Sequence, residues 1–161
     1  MNDELPKLNY FTHRSINKIR WNQCIASSSN GLVYALSWYL DAVTNESWDA
    51  LISDDFRWVM PIPLKRKAGI TYLPTPPFVQ QLGIFGPGPF TPALTDHFCK
   101  HIAANVKLTD YQLNYANAPT SLPGFVNKER NNLVLELPEN RLELPGIFNE
   151  NTNRNIRKAE K

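Results

Sequence analysis

The chain has 161 residues and a formal net charge of +2, which gives no whole-protein field for nucleic acid or an anionic surface. Apolar content of 42% and charged content of 20% are ordinary for a folded globular domain, and one domain is the expectation at this length. Two cysteines make no disulfide framework, no apolar run follows Met-Asn-Asp-Glu, and no stretch nears the roughly 18 apolar residues of a spanning helix. The expectation is a cytoplasmic protein with no membrane span and no DNA partner.

Leu8 to Phe11 reads as a first strand. Ser15 is the expected N-cap of a helix over Ile16 to Ala26, with Ile16, Ile19, Cys24 and Ile25 as its apolar positions. After a Ser-rich loop, Leu32, Leu36, Tyr39, Leu40 and Val43 recur at helical spacing, with Tyr34 and Trp38 beside them. A helix apolar over that much of its surface is expected to be largely buried.

Trp48 to Gly86 reads as the centre of the chain. Trp48 to Ile52, Phe56 to Leu64, Ile70 to Leu73 and Phe78 to Phe85 are β-rich runs with short turns between them. Turns this short imply antiparallel pairing, hence a meander in the middle of one sheet. Gly86-Pro87-Gly88-Pro89 then breaks the chain. Thr91-Pro92 is a helix start, and Leu94, Phe98 and Ile102 form its apolar stripe through Ala104. Leu108 to Tyr115 alternates, with Tyr111, Leu113 and Tyr115 expected inward and Gln112 and Asn114 outward. Phe125 to Arg130 and Leu133 to Leu137 read as closing strands, and a polar helix begins near Glu150. The fold class is α/β (α+β): a mixed, mainly antiparallel sheet with helices packed on both faces.

That order of elements is similar to the acyltransferase fold called GNAT. Asn151 to Lys161 resembles the Arg-x-x-Ile-x-Lys-Ala motif of the Fem-type aminoacyl and peptidyl transferases. Asn30 to Leu40, Val59 to Lys65 and Gln80 to Phe85 look like the first half of a related group of bacterial proteins. The resemblance implies a GNAT-like domain over 1–149, and a basic helix over 150–161 leading to a second such domain not in this chain. It implies an N-terminal, non-catalytic half of an acyl- or aminoacyltransferase that forms one wall of an acceptor cleft. Acyl-coenzyme A or aminoacyl-tRNA would serve the full-length protein, and this half would hold no cofactor. Alternatives are a stand-alone binding domain and a complete acyl-coenzyme A-dependent N-acyltransferase.

The last alternative needs backbone N–H groups aimed at a pyrophosphate. The family pattern there is Gln or Arg, two residues, Gly, one residue, then Gly or Ala. Gln80-Gln81-Leu82-Gly83-Ile84-Phe85 comes nearest, but ends in Phe, and Pro87, Pro89 and Pro92 remove three donors before the helix. The bland reading of the same stretch is a strand with a bulge at Gly83.

Other candidates are weaker in chemistry. His97 and His101 have metal-ligand spacing, but without the Glu of the zinc-protease pattern they read as a solvated helix face. Asp54-Asp55 reads as turn chemistry and Lys65-Arg66-Lys67 as a solvated charge run. Tyr34, Trp38, Tyr39, Trp58 and Tyr72 are either core or the lining of a ligand cleft. Arg154, Arg157, Lys158 and Lys161 fall on one helix face, as a site for a phosphate-bearing or acidic ligand or as plain solvated charge. Ile156 alone buries too little to hold that helix, so it is expected to need a second domain or a second copy of the chain. The candidate ligand-binding residues are Arg154, Arg157, Lys158, Gln80, Gln81, Trp38 and Tyr39. No catalytic or metal-binding residue is assigned.

Overall fold

The computed structural model describes residues 5–104, 106–134 and 138–160. Residues 1–128 form one compact unit and 129–161 another. The architecture is mixed α/β, as the sequence predicts, but among the described residues the strands divide between two three-stranded sheets rather than joining one.

The first sheet has the order β1-β2-β3, from Leu8–Phe11, Trp48–Ser53 and Val59–Pro63, antiparallel throughout. Alternation along β2 and β3 sends side chains to both faces, and both faces are covered. Trp48, Ala50, Ile52 and Val59 pack with Trp21, Cys24 and Ile25 of α1 (Lys18–Ser27) and Leu40 of α2 (Ser37–Thr44). Leu51, Met60 and Ile62 pack with Leu94, Phe98 and Ile102 of α3 (Pro92–Ala103). A strand buried on both faces reads as a continuous apolar run, which is what Ala50-Leu-Ile52 shows. Pro61 and Pro63 are tolerated because β3 ends the ladder.

The second sheet has the order β4-β5-β6, from Lys65–Lys67, Ile70–Pro74 and Leu108–Asp110. β4 and β5 are antiparallel, and β5 and β6 are parallel. The expected meander is therefore cut at Leu64. The expected strand over Phe78 to Phe85 does not form either. Only single bridges, Val59 to Phe85 and Leu82 to Leu113, tie that segment.

Several local expectations change for identifiable reasons. α1 is capped by Asn17, whose Oδ1 accepts the Arg20 N–H at 3.1 Å, while Ser15 closes a preceding 3-10 turn. The helix expected over 32–43 breaks at Leu36, where ψ is 138°, into a 3-10 turn and α2. It is not largely buried, since Val33 and Trp38 are exposed. Ile19, read as apolar-facing, is also exposed, and Trp21 takes the core position. Thr91 caps α3 as predicted, with Oγ1 accepting from Leu94 N at 3.2 Å. Residues 125–134 carry no strand, and 135–137 lie outside the described residues. In the second unit, α4 (Leu144–Ile147) precedes α5 (Glu150–Ala159), which begins at an Asn149 cap and has no buried residue.

Candidate functional site

The segment Gln80–Gly86 is where a coenzyme cradle was to be sought. Its backbone donors from Leu82 to Gly86 are all used within the chain. Leu82 N–H donates to Gln112 O at 2.8 Å, and Gly83 N–H to the Tyr111 hydroxyl at 3.1 Å. Ile84 N–H donates to Asn117 Oδ1 at 2.7 Å, Phe85 N–H to Val59 O at 2.8 Å, and Gly86 N–H to Asn30 Oδ1 at 3.4 Å. The Ile84 carbonyl accepts from the side-chain amides of Asn30, Asn114 and Asn117 at 2.8, 3.1 and 2.9 Å. At the start of α3, Pro92 has no N–H and Leu94 is capped by Thr91. Ala93 is then the one donor of that first turn outside these bonds.

This clasp explains a register the sequence pattern missed. Asn114 is buried and Tyr115 exposed, the reverse of the predicted alternation. A buried amide is costly unless bonded, and Asn114 is bonded at both ends: its Nδ2 reaches Leu82 O at 2.8 Å, and its Oδ1 accepts from Asn30 and Ala116. Gly83 has φ +100°, and a Cβ there would lie 2.1 Å from Asn117 Oδ1, so glycine is required by both conformation and space. Tyr111 Oη donates to Pro61 O at 2.6 Å, and burial pushes its phenol far above the ordinary range, so it stays neutral. Gln81 Oε1 accepts from Tyr115 N at 2.8 Å, while Gln80 lies exposed.

Beside this clasp is an aromatic surface. Trp38 is 58% exposed and Phe78 87%. Tyr39 lies between them: its ring meets Trp38 and Tyr34 edge-on at 5.7 and 5.6 Å, and its hydroxyl donates to Phe78 O at 2.7 Å. Phe78 sits at φ +63°, a conformation bulky residues rarely adopt. Trp38 is thus surface rather than core, and Tyr39 ties it to the segment that leads into Gln80 and Gln81. Of the seven candidate residues, Trp38 and Tyr39 touch each other, and Gln80 and Gln81 follow in sequence from the Phe78 that Tyr39 bonds.

The other three, Arg154, Arg157 and Lys158, are exposed on α5 in the second unit. They border an open concavity of about 750 Å³ together with Asn149, Glu150 and Asn151. Arg154 donates to Asn151 Oδ1 at 2.6 Å and Arg157 Nε to Asn153 O at 3.3 Å, so both guanidiniums also serve the helix itself. Only Asn155 separates Arg154 from Ile156, one residue fewer than in the motif this segment resembles. Lys161 lies outside the described residues.

Sequence reasoning did not single out Asp41. It meets Lys18 Nζ at 2.7 Å, His13 Nε2 at 2.8 Å and Trp48 Nε1 at 2.9 Å. Burial alone would raise its carboxyl, but the hydrogen bonds from Lys18, Trp48 and His13 hold it below its usual value. A His–Asp pair is half of an acid–base relay. Here no Ser, Thr or Cys among the described residues bonds the His13 ring, so the cluster locks α1, α2 and β2 together. His97 Nε2 donates to Pro6 O at 2.7 Å and His101 Nδ1 to His97 O at 2.8 Å. Among the described residues no group of three or more His, Cys, Asp or Glu could hold a metal. Burial pushes the Cys99 thiol up to about 11 and raises that of Cys24, so neither is a ready nucleophile.

No family model, curated protein or solved structure matches this chain.

Proposed function

We propose that the chain is the non-catalytic first half of a GNAT-like, Fem-related acyl- or aminoacyltransferase, with Trp38, Tyr39, Gln80 and Gln81 on the wall of an acceptor cleft. The observation that carries this reading is the internal use of every backbone N–H from Leu82 to Gly86. A pyrophosphate cradle needs such donors free, and here they hold the segment against β3, Asn30 and the Tyr111–Asn117 segment. The exposed aromatics next to it are suited to a bulky acceptor.

The partner in this reading is a second GNAT-like domain. Leu133, Val134, Leu142 and Ile147 all stand exposed in the second unit, with Leu133 at 94%. Side chains of this kind gain from cover by another surface. Calorimetry of residues 1–161 with acetyl-coenzyme A should show no binding. A Kd tighter than about 100 μM, roughly −5.5 kcal/mol, would establish a working coenzyme site and end the proposal.

A second reading rests on α5. Three exposed cations on one helix face suit a phosphate-bearing ligand without any chemistry. Sulfate should then protect the amides of residues 150–160 more than chloride at equal ionic strength. The triple Gln variant of Arg154, Arg157 and Lys158 should lose that difference.

A further inference from the structure

β4 and β5 form a hairpin turned by Ala68 and Gly69, both at positive φ, 50° and 78°. The register sets Lys65 opposite Tyr72, Lys67 opposite Ile70, and Tyr72 beside Leu108. Directly opposed residues share a face, and neighbours along a strand alternate. Lys65, Lys67, Ile70, Tyr72, Leu108 and, at the far end, Asp110 therefore stand on one face. Arg66, Thr71, Leu73 and Thr109 stand on the other, and Leu73 is fully buried in the core. The first face looks outward. Its Ile70 is 50% exposed and its Leu108 62%.

Charge is segregated across this sheet. Lys65, Arg66 and Lys67 are all exposed. Lys107 immediately precedes β6, and the parallel register puts it at the end nearer the hairpin turn. None of the ion pairs among the described residues involves these four cations. The carboxylate of these strands, Asp110, pairs with Pro74 at the opposite end. A near-neutral chain thus carries a local cationic field that its total charge hides.

The pairing of cations with exposed aliphatic side chains restricts the occupant. A dry protein interface on this face would leave Lys65 and Lys67 uncompensated unless acidic groups met each one. Single-stranded nucleic acid would satisfy the charges, but its bases stack on open aromatic rings, and the Tyr72 ring on this face is half-buried between aliphatic neighbours. The headgroup layer of an anionic bilayer satisfies both requirements. Its phosphates meet the lysines, its acyl boundary takes Ile70 and Leu108, and a half-buried Tyr72 suits the interface between them.

We propose that the outward face of the β4-β5-β6 sheet is a docking surface for an anionic lipid bilayer. The test is co-sedimentation of residues 1–161 with phosphatidylcholine–phosphatidylglycerol vesicles and with pure phosphatidylcholine vesicles. Binding should appear with the mixed vesicles and fall steeply with salt. Lys65→Gln and Lys67→Gln should each weaken it about fivefold, and Arg66→Gln, on the opposite face with Thr71, should weaken it less. Ile70→Thr and Leu108→Thr, which keep strand-compatible side chains, should each weaken it about tenfold, with Lys67→Arg retaining it. Melting curves establish that each variant is folded; if an apolar variant unfolds, the charge series and salt titration still decide.

Equal binding to both vesicle types, or none to the mixed ones, would overturn the proposal. So would binding of polyuridylate that depends on the cations but is indifferent to Ile70→Thr. A dimer that Ile70→Thr dissolves, without vesicle binding, would assign the face to a second copy and likewise overturn it.

Discussion

Gly83→Ala tests whether the asparagine clasp holds the Gln80–Gly86 segment. The new Cβ would sit 2.1 Å from Asn117 Oδ1 and 3.2 Å from its Cγ and from Leu113 Cδ2. Asn117 must move, and its bonds to Ile84 N at 2.7 Å and Ile84 O at 2.9 Å go with it. Two such bonds contribute about 1 kcal/mol each. An alanine at φ +100° adds about 1–3 kcal/mol of backbone strain. The total is about 3–5 kcal/mol, a large part of the roughly 5–15 kcal/mol that holds a domain folded. Asn117→Ala alone should cost about 2–3 kcal/mol, since it orphans Ile84 N–H.

In the double variant the collision is absent, so only the strain should be added. The double variant should then be about as stable as Gly83→Ala alone, a coupling of about 2 kcal/mol. Urea unfolding followed by tryptophan fluorescence measures all four proteins. Additive losses, or a Gly83→Ala variant within about 0.5 kcal/mol of the parent, would refute the clasp.

Other outcomes follow from the same structure. Asp41→Ala should cost about 3 kcal/mol at neutral pH, because three donors lose one acceptor. Since the folded carboxyl titrates below its ordinary value of 3.8, that advantage is full above about pH 4. The gap between variant and parent should shrink as pH falls through the folded value; an unchanged gap at pH 2–3 would remove the ionic part of the account. Trp21 is fully buried and its indole donates to Ala35 O at 2.7 Å, so Trp21→Ala should cost about 3–5 kcal/mol. Trp38→Ala, on the surface, should cost less than about 0.5 kcal/mol. Cys24 and Cys99 should resist iodoacetamide in the native protein and react on unfolding. Mass spectrometry showing equal rates in both states would refute their burial.

Features under local chemical control are readable along the chain. Thr91-Pro92 marked the start of α3, Leu94, Phe98 and Ile102 its buried stripe, and Trp48 to Ile52 a strand, because caps, helical periodicity and β-rich runs act within a few residues. The mixed α/β class followed from that order. The candidate residues Trp38, Tyr39, Gln80 and Gln81 were legible as residue types, but the link from Tyr39 to the segment that carries the two glutamines is one long-range bond between Tyr39 Oη and Phe78 O. Long-range packing sets the rest: Leu64 parts two sheets, Asn114 faces inward, and Asp41 gathers His13, Lys18 and Trp48. In each case the deciding partners lie far apart in the chain: Asn30 reaches Asn114 across 84 residues, and His13 reaches Asp41 across 28. An amide reads as a surface residue in any local pattern. It becomes core only when the fold brings carbonyls and N–H groups to it from elsewhere.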